Sequence, residues 1–442
     1  MTKQYYPLNS LREGHWFKLI CGASYQHLPA IRNLALAYTL AGADCIDMAA
    51  DTAVINAVKE ALDVAAYLEE AAEAKGFRHS HHPLLMVSIN DGEDPHFRKA
   101  EFNPNLCPAD CPRPCEKICP AQAIVFPESI SGEYRGQGNI NREQSSQTEK
   151  RTKTALLPTP HSSLPVGVID AKCYGCGRCV PICPYQLIYT RSVVTTPNAI
   201  AQIVLPSGVD AIEIHTKVGN FTDFTRLWRA IAPWSNQLKL LAISCPDGEG
   251  LIDYLHALYD LISPLPCPLI WQTDGRQMSG DISMGTTRAA VKLAQKVLAA
   301  RLPGYVQLAG GTNDYTVKKL KELGLLQERV IGNEESRMGN GDKGDKGNKG
   351  DKGDKEKIFQ LSPYPTPHIA GVAYGSYARV LLSPILDKLA KINEETIHGN
   401  RLFNRSNSVG HLEDFPELLW EAVATADSLV SQLKLRNGEC QS

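Results

Sequence analysis

The sequence lacks any run of about 18 uninterrupted apolar residues, the length a membrane-crossing helix needs, although 43% of its 442 residues are hydrophobic. No transmembrane segment is expected. It also lacks an excess of either charge, since 46 Lys and Arg stand against 48 Asp and Glu for a net charge of -2. Such a chain has no long-range field with which to gather nucleic acid or an anionic membrane, and no nucleic-acid partner is expected. The opening MTKQYYPLNSLREGHWF holds no apolar stretch of signal-peptide length. The expected location is therefore cytoplasmic, with peripheral attachment to a membrane left open. A Gly-x-Ser-x-Gly elbow and a nucleophile–base pair are missing as well, so no catalytic residue is assigned from sequence.

Cysteine, by contrast, is abundant, with thirteen in the chain. In a cytoplasmic protein, glutathione and thioredoxin keep thiols reduced, so metal binding explains them better than a disulfide framework. Eight fall into two clusters. KCYGCGRCVPICPYQLI carries Cys173, Cys176, Cys179 and Cys183 followed by Pro184, the C-x2-C-x2-C-x3-C-P run of bacterial-type ferredoxins. Gly175 and Gly177 suit a loop that bends around a cluster and aims backbone N–H groups at its sulfides. CPADCPRPCEKICPAQAI supplies the partner run, Cys107, Cys111, Cys115 and Cys119 followed by Pro120. The two runs end in CPAQAI and CPYQLI, and the shared Cys-Pro-x-Gln-x-Ile is the echo expected of a duplicated ferredoxin fold.

In two-cluster ferredoxins the fourth cysteine of each run ligates the other cluster. By that analogy Cys107, Cys111, Cys115 and Cys183 hold one cluster, and Cys173, Cys176, Cys179 and Cys119 hold the other. [4Fe-4S] clusters are expected. The first run has three residues in every gap and carries Pro108, Pro112 and Pro114, so a [3Fe-4S] cluster is an alternative there. Two structural zinc sites would also use four thiolates each, but doubled runs ending in Cys-Pro are more ferredoxin-like than zinc-ribbon-like.

Around these runs, short apolar segments alternate with helical patterns, the mark of βα units and a parallel sheet. Eight strands are expected, at 18–24, 45–50, 84–90, 211–216, 240–245, 269–274, 305–310 and 369–375. AGADCIDMAAD and SGVDAIEIHTK share Gly-x-Asp-x-Ile-Asp/Glu at the turn into a strand, an echo between half-barrels. The fold class is therefore α/β: a (β/α)8 barrel-like scaffold with a two-cluster ferredoxin-like module inserted after the third strand. An open doubly wound α/β sheet plus a ferredoxin-like domain is the alternative. The expected organisation is 1–100 for the first βα units, 101–195 for the iron–sulfur module, 196–395 for the remaining units and 396–442 for a helical tail that docks on the barrel. Within these, 128–165 is a polar loop, and 339–357, with glycine every third residue from Gly341 to Gly353, is a Gly/Asp/Lys linker.

Gly310 and Gly311 in LAGGTND, with Gly375 and Ser376 in GVAYGSYAR, lie after the last two strands, where barrels often hold a phosphate. Ordinary tight turns also use such residues, and a flavin phosphate is one ligand these turns would admit. Polar groups at strand ends are Asp47, Asp51, Asn90, His215, Lys217, Asp247, Asp274 and Arg276. Asp51 reads as a helix N-cap and His215 as structural. Cys21, Cys45 and Cys245 read as small buried hydrophobes, and His79 to His82 as a solvated loop.

The doubled cysteine runs together with VDAIEIHTKVGNFTDFTRLWRAIAPW onward resemble the cyanobacterial light-dependent-period iron–sulfur family across most of the chain. What the resemblance implies is redox sensing, in which the clusters report the photosynthetic electron-transfer state to the circadian clock. It implies association with a clock-input histidine kinase and Kai-type clock proteins, and extends the candidate partners to quinone or photosynthetic electron carriers. The alternative function is a ferredoxin-type electron-transfer oxidoreductase with a flavin- or phosphate-binding barrel.

Overall fold

The fold is taken from a computed structural model, which describes residues 7–21, 28–77, 82–92, 98–119, 122–126, 167–170, 172–173, 178–192, 204–275, 285–326, 368–399 and 410–434. The segment 128–165, the linker 339–357, Cys176, His79 to His81 and Arg276 lie outside them. Among the described residues twelve strands run in chain order as β1 (Trp16–Ile20), β2 (Cys45–Ala49), β3 (Leu84–Asn90), β4 (Arg98–Glu101), β5 (Ile124–Val125), β6 (Gly167–Val168), β7 (Tyr189–Ser192), β8 (Ala211–His215), β9 (Leu240–Pro246), β10 (Leu269–Asp274), β11 (Tyr305–Ala309) and β12 (Ile369–Tyr374).

Eight of these close into a parallel barrel in the order β1-β12-β11-β10-β9-β8-β3-β2, and each overlaps one of the eight strands expected from sequence, although the first spans Trp16–Ile20 and not 18–24. The open doubly wound sheet is excluded by the closure between β1 and β12, whose register pairs Trp16 with Gly371. A Cβ on Gly371 would stand 2.1 Å from the Trp16 carbonyl oxygen, so glycine is what lets the two strands meet.

Strand side chains alternate between faces, and the alternation sorts the barrel. Phe17 and Leu19, Ile46 and Met48, and Ile212 and Ile214 join the large core under the helices. Trp16, Cys45, Leu84, Met86, Ala211 and Ile270 fill a separate inner core, closed from below by Leu8 and Leu11 of the helix Pro7–Glu13. The repeated Gly-x-Asp motif has one structural role in both halves. The carboxylate of Asp44 accepts the Phe17 N–H at 2.8 Å, and that of Asp210 accepts the Leu85 N–H at 3.0 Å. Their backbone carbonyls take the N–H groups of Leu84 and Lys239 on the other side, each at 2.8 Å. Each aspartate thus ties together the strands that flank its own.

The helix Pro416–Val430 docks on Leu28–Leu40 and Ser376–Gly399, as its apolar face predicts. Beyond it, Lys434 places its ammonium 2.7 Å from buried Asp44. The chain leaves the barrel between β3 and β8 to build a small unit. There β4 and β7 pair antiparallel, with Ala100 opposite Thr190, and β5 pairs with β6. The short helices Pro114–Ile118 and Cys179–Ile182 complete it.

Candidate metal centre and barrel interior

In the small unit the two cysteine runs are built alike. The helix Pro114–Ile118 contains Cys115 and hands over to Cys119, and the helix Cys179–Ile182 hands over to Cys183; both final cysteines are extended, with φ near -72° and -70°. Each is followed by a glutamine in the left-handed region, Gln122 at φ 47° and Gln186 at φ 54°. Their N–H groups return to the Cys119 and Cys183 carbonyls at 3.1 Å in both runs. The isoleucine closing each repeat, Ile124 or Ile188, is buried with Ala100, Phe102, Phe126, Cys115, Cys173 and Cys179. The Cys-Pro-x-Gln-x-Ile echo is therefore a repeated turn that anchors an apolar residue and leaves a thiol beside it.

Cys183 acts on the first run electrostatically. Burial raises the Cys107 thiol, and so do its hydrogen bond with Cys111 and the charges of Cys111 and Cys183, while Arg113 opposes them. Burial pushes Cys115 up to about 11, the backbone N–H groups of Glu116 and of Cys115 itself pull it down, and Cys183 and Cys107 add their repulsion. Neighbouring thiols help raise Cys107 and Cys115, and a bound cation would relieve that crowding, because metal ligation takes the place of the thiol proton. Cys119 and Cys173 receive backbone N–H groups instead, from Ala123 at 3.2 Å and Ala100 at 3.4 Å. N–H···S bonds stabilise sulfur in its charged, ligating form. Among the described residues no three Cys, His, Asp or Glu side chains converge tightly enough to hold a single metal ion. The donor set of soft thiolates with N–H support fits an iron–sulfur cluster.

A second constellation fills the barrel, and sequence reasoning missed most of it. Lys18, Asp47 and Glu213 project inward from β1, β2 and β8 and are 0%, 1% and 0% exposed. The Lys18 ammonium contacts Glu213 directly and lies 3.3 Å from Asp47. Glu213 also accepts from Gln272 at 2.5 Å, Gln272 from Gln307 at 2.6 Å, and Gln307 from the Trp16 indole at 2.7 Å. His215 lies 3.2 Å from Glu213 nearer the mouth, and Ser88 donates to Asp47 at 2.8 Å. Above them Ser244 donates to Asp274 at 2.7 Å. The signal was a lysine and a glutamate at inward positions of otherwise apolar strands, but their pairing spans 195 residues.

Two carboxylates share one ammonium here. Lys18 is raised despite the opposing effect of its burial, because Asp47 and Glu213 both favour its charge. Asp47 is pushed up to about 6, by burial first, against the pull of Lys18 and with Glu213 repelling it. A carboxyl whose folded pKa exceeds its unfolded value destabilises the fold above the folded pKa, and the penalty is relieved as pH falls through 6 toward 4. We therefore expect Asp47→Asn to be the more stable protein at pH 8, by up to about 2–3 kcal/mol, and to lose that advantage at pH 4. Urea denaturation at the two pH values checks this; a variant less stable at pH 8 would contradict it.

Of the other expected positions, Asp51 caps the helix Thr52–Tyr67, accepting the Ala53 N–H at 2.8 Å. Cys21, Cys45 and Cys245 are buried, and burial raises all three thiols. Asp247 pairs with Lys296 at 2.6 Å on the surface, away from the interior set. Gly310 and Gly311 take φ of 63° and 92°, and the Gly311 carbonyl accepts from Thr286 at 2.7 Å. Gly375 and Ser376 open the helix Ser376–Gly399, where Arg379 donates to Ser376 at 3.0 Å and to the Ile20 carbonyl at 3.1 Å. No membrane-crossing helix occurs among the described residues.

Comparison with known proteins accounts for both parts of the chain. A family model described as the LdpA Fe-S cluster-binding domain matches residues 107–141 and 154–194. A second, described as the light dependent period A C-terminal domain, matches residues 203–432. A curated protein of Synechococcus elongatus named "Light dependent period A" is 42% identical over 429 residues, covering 97% of this chain and 94% of that protein.

Proposed function

Because the chain belongs to the light dependent period A family, we propose that it is an iron–sulfur redox sensor that relays photosynthetic electron-transfer state to the circadian clock through protein partners. The observation that carries the reading is that Cys183, the last cysteine of the second run, acts electrostatically on Cys107 and Cys115 of the first. Crossing over of the fourth cysteine is the arrangement of two-cluster ferredoxins. It supports one cluster on Cys107, Cys111, Cys115 and Cys183, and another on Cys173, Cys176, Cys179 and Cys119.

An iron–sulfur cluster supplies one-electron storage with a change of one unit in its charge. The protein's own residues do the rest. Ala100 and Ala123 present N–H groups to sulfur, and the buried Phe102, Phe126, Ile124 and Ile188 shield one side from water. Ile118 and Ile182, each directly before a fourth cysteine, are both 39% exposed. An electron or a partner can approach there without crossing the barrel. In this reading a clock-input histidine kinase and Kai-type clock proteins are the partners, with quinone or a photosynthetic electron carrier as the source of electrons.

The oxidoreductase reading draws on a specific feature, the Lys18–Glu213–Asp47–His215 set below the barrel mouth. A bound flavin would distinguish it. Anaerobically purified protein should contain iron and acid-labile sulfide in amounts matching two clusters, with iron–sulfur absorption and no flavin spectrum. Zinc without sulfide would sink the cluster assignment, and a stoichiometric flavin would favour the enzyme.

A further inference from the structure

Lys99 and Asp51 are both buried, at 7% and 8% exposure, and they belong to different parts of the molecule. Asp51 follows β2 at the C-terminal end of the barrel; Lys99 lies on β4 of the cysteine-bearing unit. The Lys99 ammonium is 2.8 Å from Asp51 Oδ2, while Asp51 Oδ1 receives the Ala53 N–H that starts the helix Thr52–Tyr67. The same ammonium donates to the Asp170 carbonyl at 2.5 Å, three residues before Cys173. The neighbouring residue, Ala100, gives its N–H to Cys173 Sγ at 3.4 Å. One lysine thus joins a barrel helix cap, the strand that hydrogen-bonds a cysteine sulfur and the segment leading to that cysteine.

We propose that the Asp51–Lys99 pair couples the charge of the cluster ligated through Cys173 to the first turn of the barrel helix Thr52–Tyr67. This rests on the cluster assignment above. Reduction delivers one electron from an external donor and adds one negative charge near Lys99, with no protein bond formed or broken. In a buried setting that charge competes with Asp51 for the ammonium. Interaction between the two sites is reciprocal: whatever strengthens the hold of Asp51 on Lys99 lowers the cluster's affinity for the electron, and reduction weakens the hold of Lys99 on the helix cap. A pair retained only for packing would have no such dependence. The sensor then has a defined route by which cluster state reaches the barrel.

The test uses the full chain, purified anaerobically, with redox titration followed by electron paramagnetic resonance. Lys99→Met removes the cation and should lower the reduction potential of the cluster on the 173–179 run. Asp51→Asn keeps the helix cap but frees the cation, and should raise it. The double variant should fall between them. Shifts of the same sign in both single variants would mark a merely structural role and overturn the coupling, as would no shift in either. Hydrogen exchange on the unmodified protein gives a check that no variant's folding can affect. Amides 53–56 should exchange faster after dithionite reduction than before, and equal rates would overturn the coupling. If the unmodified protein yields no reducible iron–sulfur signal, the cluster assignment itself fails and takes the coupling with it.

Discussion

Cys183→Ser should abolish the spectroscopic signal of the cluster on Cys107, Cys111 and Cys115 while sparing that on Cys173, Cys176 and Cys179, and iron content should fall by about half if two equal clusters are present. The sequence distance alone argues for the opposite, since Cys183 stands four residues from Cys179 and far from Cys107. The fold favours the proposed crossover: the short helix Cys179–Ile182 packs against Pro114–Ile118, and Cys183 acts electrostatically on Cys107 and Cys115. Separate resonance signals for the two clusters make the result readable. Selective loss of the 173–179 signal would mean that each run closes on its own cluster.

Lys18→Met should destabilise the barrel by about 3–5 kcal/mol, the cost of leaving buried charge without its partner. That is a large share of a typical folding free energy of about 5–15 kcal/mol. Methionine fills much of the lysine's volume, so the loss measures charge more than packing. With the ammonium gone, Asp47 and Glu213 share an interior closed to water, and one of them must take up a proton. Both carboxyls would then have raised folded pKa values, so the deficit should shrink as pH is lowered. Chemical denaturation at pH 8 and pH 5 reads both effects. A variant as stable as the parent at pH 8 would show that the Lys18 contacts contribute nothing net.

The barrel was legible because its signal is local. Strands such as LLMVSIN and LIWQTD are short apolar runs followed by turn residues or helical periodicity, and eight of them in succession leave few topologies. The tail helix was legible for the same reason, since Leu419, Ala422, Val423 and Ala426 lie on one face. The cysteine runs carry their chemistry in their spacing. What sequence could not supply was partnership across the chain. Lys18 meets Glu213 195 residues away, and the Trp16 indole meets Gln307 291 residues away; only closure of the barrel brings them together. Asp51 read as an N-cap, and it is one, but its second oxygen serves Lys99. A helix cap has a local signature in the residues that follow it, whereas an ion pair to an inserted strand has none. The pairing of β4 with β7 was equally silent, because RKAE and YTRS carry no long alternating pattern.

Recovery of the proposed clock-input partners by the purified protein in two redox states tests the proposed redox sensing most directly. Oxidised and dithionite-reduced protein, each held anaerobically, should recover the histidine kinase and Kai-type proteins from lysate to clearly different extents, and Cys173→Ser should erase the difference. Equal recovery in both states would contradict redox sensing and favour the oxidoreductase.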